Sequence, residues 1–125
     1  MGKIKLMVQE ESNAKIDKLI KALEKDFNAE TIIKSLMDLR EDALKDKDPL
    51  LAKVLRLASE YIKEEGCFDH TVEKEENEEG EEFLLEPGTD AENLTYLLHL
   101  IKKAENKFNR EEIKEMRTFL KLKLY

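Results

Sequence analysis

The chain has 125 residues, a formal net charge of −7 and 41% hydrophobic residues. This length allows one domain, or one small module fused to another, with enough apolar residues for a modest core. The single cysteine, Cys67, excludes an intramolecular disulfide. The sequence has no apolar run of about 18 residues, the length that a membrane-spanning helix needs, and no signal peptide. We therefore expect a cytoplasmic protein that has no membrane partner.

The first predicted element is a short β-strand within residues 3–8. Aliphatic residues alternate there with two lysines and a methionine, namely Ile4, Leu6 and Val8 with Lys3, Lys5 and Met7. Because strand side chains point alternately to opposite faces, one face would pack on a core and the other would face a partner. A strand this short is not stable alone, so we expect it to pair with a second strand. The alternative is an edge strand that precedes two core helices.

Two amphipathic helices are predicted to follow the strand. Apolar residues recur at helical spacing from Ile16 to Phe27, which indicates a helix over about 12–25. Asn28 is a good N-cap, and the apolar face after it predicts a second helix that ends near Lys45. The predicted order is therefore strand, helix, turn and helix.

Roughly the first third of the chain resembles a known family of DNA-binding proteins. The run KIKLMVQEESNAKIDKLIKALEKDFNAETIIKSLMDL and its order of elements are similar to the ribbon-helix-helix family, the Arc-type repressors. The resemblance implies a homodimer in which two strands pair antiparallel and enter the major groove of DNA. It also implies a set of DNA contacts: Lys3, Lys5 and Met7 from the outer face of the ribbon, and Asn28 and Ala29 at the N-terminus of the second helix.

The charge of the chain is distributed unevenly. Residues 1–48 carry ten Lys and Arg against eleven Asp and Glu, a net charge of −1, so residues 49–125 carry twelve against eighteen, a net charge of −6. Nucleic-acid-binding proteins usually have a basic excess, so the overall charge opposes DNA binding. Most of the acidity, however, lies outside the N-terminal module.

A third helix is predicted from its two ends. Asp48 is an N-cap followed by Pro49 at the first helical position, and Gly66 is suited to the C-terminal cap. The apolar stripe between them is as wide as any in the chain. We therefore expect a ribbon-helix-helix-like module at residues 1–47 and a helical unit at residues 48–125.

Residues 67–88 interrupt the helical pattern. Alternating side chains flank an acidic run on both sides, with Phe68, His70 and Val72 before it and Phe83 and Leu85 after it. The run itself, Glu73 to Glu82, contains seven glutamates and one lysine. Two structures fit this pattern, a β-hairpin with the acidic run at its tip or a flexible solvated loop.

Two further helices are predicted to close the chain. Thr89 and Glu92 have the spacing of a capping box, and Asn109 and Glu112 have the same spacing. These two pairs predict that one helix begins after Thr89 and a second begins after Asn109. The apolar stripe of the first extends to Phe108, and the pair should form a tight helical hairpin that packs on the third helix. The expected fold class is therefore mainly α, with an N-terminal strand-helix-helix module, a small helical bundle and a possible acidic β-hairpin.

The sequence contains no recognisable pair of nucleophile and base and no glycine-rich phosphate loop. Cys67 and His70 could form a metal site with His99, but the neighbours of His99 on its helix face indicate a solvent-facing residue. The glutamates of residues 73–82 lack the burial or the partners that shift the pKa of a catalytic carboxylate. We therefore expect no enzyme activity, no metal and no cofactor.

Two functional hypotheses follow from the sequence. The first is a dimeric DNA-binding protein, a transcriptional regulator whose N-terminal β-ribbon occupies the major groove while the C-terminal unit serves assembly or binds a second protein. The alternative is an acidic helical interaction module without DNA binding, such as an adaptor, an inhibitor or an immunity-type protein. That module would present the acidic segment Glu73 to Glu82 to a basic surface of a protein partner.

Overall fold

The computed structural model describes the backbone of residues 2–76, 78–84 and 88–125, and the side chains of residues 10–73, 75, 78–81 and 88–125. Within these residues the chain forms five α-helices: α1 (Gly2–Lys25), α2 (Ala29–Lys45), α3 (Pro49–Glu65), α4 (Asp90–Lys102) and α5 (Lys107–Leu124). Two short strands, β1 (Lys74–Glu76) and β2 (Glu82–Leu84), lie between α3 and α4. The expectation of a mainly α fold is confirmed.

The predicted N-terminal strand is wrong, because Gly2–Lys25 is one continuous helix of 24 residues. Ile4 and Val8 fit the alternating pattern of a strand, but they are also four residues apart, a spacing that places two residues on one side of a helix. Lysine, leucine, methionine and glutamine in this stretch are strong helix formers, and neither glycine nor proline interrupts residues 3–25. A helix also satisfies its own backbone hydrogen bonds, whereas the strand would have needed a partner.

α2 begins as the sequence predicts. The Asn28 side chain accepts a hydrogen bond from the Thr31 backbone N–H at 3.1 Å, which is the geometry of an N-cap. The apolar face of α2 buries Ile32, Leu36 and Leu39. Through this face α2 packs against α1 and α3.

α3 packs against both α2 and α5. Asp48 caps its N-terminus by accepting from the Leu51 backbone N–H at 3.3 Å, and Pro49 occupies the first turn. Gly66 ends the helix in the left-handed region at a φ of 71°. The boundaries predicted for this helix are therefore confirmed.

α4 and α5 close the bundle. The capping box predicted at Thr89 is present, with hydrogen bonds in both directions between Thr89 and Glu92. The predicted start of α5 at Asn109 is wrong, because the Asn106 side chain is the N-cap and accepts from the backbone N–H groups of Phe108 and Asn109. Phe108 therefore lies in the first turn of α5, where 79% of its surface is exposed.

The apolar side chains of all five helices form one core. Residues from each helix belong to the same buried cluster, among them Ile16 of α1, Leu36 of α2, Leu55 of α3, Leu97 of α4 and Met116 of α5. α1 packs against α4 as well as against α2. Removal of this shared apolar surface from water is the dominant favourable term in folding.

The connection between α3 and α4 differs from the predicted hairpin. A strand through residues 68–72 is wrong, because Phe68 and Val72 are buried in irregular structure. Among the described residues of this connection, three antiparallel pairs form, Lys74 with Leu84, Glu75 with Phe83 and Glu76 with Glu82. One of these pairs places two glutamates, Glu76 and Glu82, opposite each other, and like charges in this position are destabilising. Leu85, the last residue of the predicted alternation, lies outside the described residues.

Candidate functional site

A concentrated negative charge lies on residues 73–82, which we name the acidic arm. This segment carries seven glutamates and one lysine. Its described glutamate side chains are all exposed, namely Glu73, Glu75, Glu78, Glu79 and Glu81. Ionised carboxylates only accept hydrogen bonds, so the acidic arm offers a partner negative charge and acceptors.

The acidic arm turns through Gly80, which lies between its two strands. Gly80 has a positive φ of 82°. A Cβ added there would meet no atom within 4 Å, so the need for glycine comes from backbone conformation and not from space. The turn brings β1 alongside β2, the strand that begins at Glu82, the last residue of the acidic arm.

The base of the acidic arm is fixed by the side chain of Asn93 in α4. Only 3% of the surface of Asn93 is exposed. Its Nδ2 donates to the Phe68 carbonyl oxygen at 3.0 Å, and its Oδ1 accepts from the Gly88 backbone N–H at 3.0 Å. Phe68 precedes the acidic arm and Gly88 follows it. The buried amide of Asn93 therefore holds the connection between α3 and α4 on both sides of the arm. Hydrogen bonds of this kind are strengthened by a low local dielectric.

Aromatic packing adds a second attachment on the side of α3. The Phe68 ring meets the Tyr61 ring edge to face, with centroids 6.2 Å apart and an interplanar angle of 89°. The Tyr61 hydroxyl donates to the Asp69 carboxylate at 2.6 Å. Burial raises the pKa of Tyr61 well above its usual value, and the bond to Asp69 adds to this shift. Tyr61 therefore remains a neutral donor.

Local hydrogen bonds fix the backbone where the acidic arm begins and where α4 follows it. The hydroxyl of Thr71, a buried residue, accepts from the Glu73 backbone N–H at 3.1 Å. At the other end, the Thr89 backbone N–H donates to the Glu92 carboxylate at 2.9 Å, and this bond lowers the pKa of Glu92. The exposed glutamates are thus carried on a segment whose two ends are held by the helices.

The chemistry that this arrangement offers is charge-based binding. Among the described side chains, no three His, Cys, Asp or Glu residues are grouped so as to hold a metal ion. Of the metal-site residues considered from the sequence, His70 stacks on Phe119 and His99 is exposed on α4. Burial raises the pKa of the Cys67 thiol, and nearby carboxylates add to the shift, which disfavours the reactive thiolate.

The residues predicted to contact DNA lie in α1 and at the start of α2. Lys3, Lys5 and Met7 belong to α1, and their side chains are outside the described part of the structure. Asn28 is exposed and caps α2, while Ala29 is partly buried against the core. A helix does not present alternate residues on one face as a strand does, so the three N-terminal residues do not form the predicted outer face of a ribbon.

A groove of about 480 Å³ lies where α2 turns into α3. Asp42 in this groove accepts from the Lys15 Nζ at 2.9 Å, and Asp48 accepts from the Arg110 guanidinium at 2.7 Å. These bonds raise the pKa of Lys15 and of Arg110. Both carboxylates are therefore paired with cations of the same chain.

Sequence reasoning did not single out Asn93, the residue that fixes the acidic arm. One signal for it exists. Asn93 stands four residues before Leu97, on the apolar stripe of α4, so a polar side chain occupies a core-facing position. Buried polar groups are almost always hydrogen-bonded, and such a position therefore points to a specific partner.

Comparisons with protein-family models, with curated proteins and with solved structures find no match to this chain. Within the part of the chain that the structure describes, no helix is both long enough and apolar enough to span a membrane. The class defined by the fold and the site is a small helical bundle with an anchored, glutamate-rich segment.

Proposed function

We propose that this chain is a protein-interaction module whose acidic arm binds a basic surface on another protein. The observation that carries the proposal is the exposure of the arm's glutamates on a connection that Asn93 holds on both sides of the arm, at Phe68 and at Gly88. A run of negative charge by itself is also expected of a flexible, solvated loop without a binding role. Negative charge on an anchored segment forms a surface that a partner recognises.

Anchoring matters because binding must overcome the entropy of ordering flexible residues. Fixing the backbone of one free residue costs roughly 1–2 kcal/mol, and an interface built on a mobile loop loses that energy as the loop is ordered. The acidic arm already has three antiparallel residue pairs and a fixed base. Part of the entropy is therefore lost on folding, and less is lost on binding.

The charge of the acidic arm determines which partners it attracts. Its seven glutamates and one lysine give a net charge of −6, which favours surfaces rich in lysine or arginine. At about 0.1 M salt this attraction extends over roughly 10 Å. Complementary charge mainly raises the association rate and disfavours acidic competitors. We therefore expect binding that weakens as salt is added.

The proposal does not include DNA binding through an N-terminal ribbon. A ribbon would need residues 3–8 to form a strand, and these residues are part of α1. The glutamates of the acidic arm also repel a phosphate backbone. A basic protein surface is the partner that fits their charge.

The test compares two variants of the full chain that lose the same amount of charge. In the arm variant, four glutamates of the acidic arm are changed to glutamine: Glu75, Glu78, Glu79 and Glu81. In the control variant, four exposed glutamates on the helices are changed to glutamine: Glu11, Glu24, Glu41 and Glu64. The probe is a fluorescently labelled lysine-rich peptide, and its anisotropy is followed during titration with each protein at low and at high salt.

Wild type and the control variant should bind the peptide with similar affinity at low salt. The arm variant should bind about tenfold more weakly, since exposed ion pairs contribute roughly 0.2–1 kcal/mol each. High salt should reduce the difference. Equal weakening of both variants would mean that the peptide responds to overall charge only, and the proposal would then be wrong. The proposal would also be wrong if the arm variant bound the peptide as tightly as wild type does.

A further inference from the structure

The imidazole of His70 stacks face to face on the Phe119 ring of α5. The ring centroids are 3.5 Å apart and the ring planes differ by 10°. Phe119 also packs against Tyr61 of α3, with centroids 6.2 Å apart. His70 lies between two buried residues, Phe68 and Val72, immediately before the acidic arm. The stack therefore joins the base of the acidic arm to α5.

The titratable and charged groups that face this stack are Asp69, Tyr61 and Lys123. Asp69 accepts from the Tyr61 hydroxyl, and the Lys123 Nζ of α5 lies 5.7 Å from the centroid of the Phe119 ring. Burial lowers the pKa of His70 below its usual value, while Asp69 opposes this shift and Lys123 adds to it. A proton on His70 would place a second cation near Lys123 in a site partly shielded from water, and both the burial and the like charge disfavour it.

We propose that His70 is a proton-operated latch for the acidic arm. The neutral imidazole stacks on Phe119 and holds the base of the arm against α5, and protonation in mildly acidic conditions releases it. The inference rests on the proposed function, since it makes the arm's binding to a basic partner depend on pH. Histidine suits this role because small changes in its surroundings move its charge across the physiological range of pH.

The direction of the pH effect follows from the sign of the shift. Because the pKa of His70 is lower in the folded chain than its usual value, the folded state takes up a proton less readily than the unfolded state does. The stabilisation from the stack is complete above the usual value of about 6.5, and it is lost as the pH falls through the lowered value. Acid therefore loosens the base of the acidic arm, and neutral pH keeps it in place.

Release of the latch also changes binding. A partner that meets the released arm must order its base during association. The apparent affinity is then proportional to the fraction of molecules in which the latch is closed, and it falls as that fraction decreases. Binding of a basic partner should therefore be stronger at neutral than at mildly acidic pH, by more than the protonation of the glutamates alone produces.

The experiment uses the full chain and compares hydrogen-exchange protection factors of the amides of residues 70–76 at about pH 7.5 and about pH 5.5. His70→Phe keeps an aromatic ring on Phe119 but removes the titration, and His70→Gln removes both. The matched control is His99→Gln, which removes the other histidine of the chain at an exposed position of α4.

Wild type and His99→Gln should lose protection of these amides at the lower pH. His70→Phe should keep its protection at both values, and His70→Gln should be poorly protected at both. Equal pH dependence of wild type and His70→Phe would overturn the latch. Because His70→Phe retains a stacking partner, this comparison remains decisive even if His70→Gln folds poorly.

Binding of the lysine-rich peptide at the two pH values separates this inference from the proposed function. Affinity should fall with pH more steeply in wild type than in His70→Phe. Failure of the peptide to bind wild type at about pH 7.5 would reject the proposed function, while the exchange data would still decide whether His70 controls the arm's base. Binding with the same pH dependence in both proteins would reject the latch alone.

Discussion

The side chain of Asn93 hydrogen-bonds to the carbonyl oxygen of Phe68, which lies 25 residues earlier in the chain. The same side chain accepts from the backbone N–H of Gly88 on the other side of the acidic arm. An amide side chain suits this position because it carries a donor and an acceptor in one planar group. α4 thereby supports the arm through a single buried residue.

Replacing Asn93 with leucine should destabilise the fold. Leucine has a similar size but makes neither hydrogen bond, so the Phe68 carbonyl and the Gly88 N–H lose this partner. An unpaired buried group costs about 1–3 kcal/mol, and we expect a loss of this size in the free energy of unfolding, measured by urea denaturation. Asn13→Leu, at a half-exposed position of α1, should change stability by less than about 0.5 kcal/mol. Equal stability of the two variants would show that the Asn93 bonds contribute little.

Asp48 has two roles that substitutions can separate. Its carboxylate caps α3 through the Leu51 backbone N–H, and it forms an ion pair with Arg110 at 2.7 Å. Asp48→Asn keeps an acceptor for the cap and loses the ion pair, whereas Asp48→Ala loses both. In thermal denaturation we expect Asp48→Ala to be less stable than Asp48→Asn by about 1 kcal/mol, the usual contribution of an N-cap. Arg110→Ala should resemble Asp48→Asn, and identical melting of the two Asp48 variants would contradict the assigned cap.

Gly66 and Gly80 share a left-handed backbone conformation, with φ values of 71° and 82°, but they lie in regions with different structural roles. Alanine at either position meets no atom within 4 Å, so its cost is conformational, roughly 1 kcal/mol. Gly66 caps α3, whose apolar face lies in the core, and Gly66→Ala should therefore lower the global stability by this amount. Gly80→Ala should leave the global unfolding transition unchanged and reduce amide protection only within the acidic arm. A global loss from Gly80→Ala would show that the arm unfolds together with the bundle.

Glu92 should make the stability of α4 depend on pH. Its pKa is lowered by the hydrogen bond from the Thr89 backbone N–H, so its stabilising effect is complete above the usual pKa of a glutamate and is lost as the pH falls through the lowered value. Glu92→Gln keeps an acceptor for Thr89 but has no charge to titrate. As the pH is lowered, the melting temperature of wild type should fall more steeply than that of Glu92→Gln. Parallel loss in both proteins would assign the acid sensitivity to other carboxylates.

The helix boundaries that the sequence predicts correctly are set by local interactions. Asp48, Gly66 and Thr89 act within one turn of their own helix, and each forms the expected cap. A cap needs only the few residues around it, so its signal is complete within a short stretch of sequence. The N-cap of α5 was misplaced by three residues, because Asn106 and Asn109 are both suitable cap residues.

The N-terminal element and the anchored arm depend on information that a short stretch does not contain. The alternation of residues 3–8 fits a strand and also fits one and a half turns of helix, and helix propensity over the whole of Gly2–Lys25 decides between them. The stack of His70 on Phe119 and the bond from Asn93 to Phe68 join residues far apart in the chain. The sequence shows the charge of the arm, and the tertiary fold determines how that charge is held.

Because Asn93 holds the chain on both sides of the acidic arm, at Phe68 and at Gly88, we expect residues 73–82 to tolerate change without disturbing the bundle. Doubling the length of a loop with fixed ends costs only about 0.6 kcal/mol in closure entropy. We therefore expect that the acidic arm can be replaced by a different segment while the helical bundle is kept. Mutation, insertion or design should be able to lengthen the arm or reverse its charge while the helical scaffold and its core remain as they are.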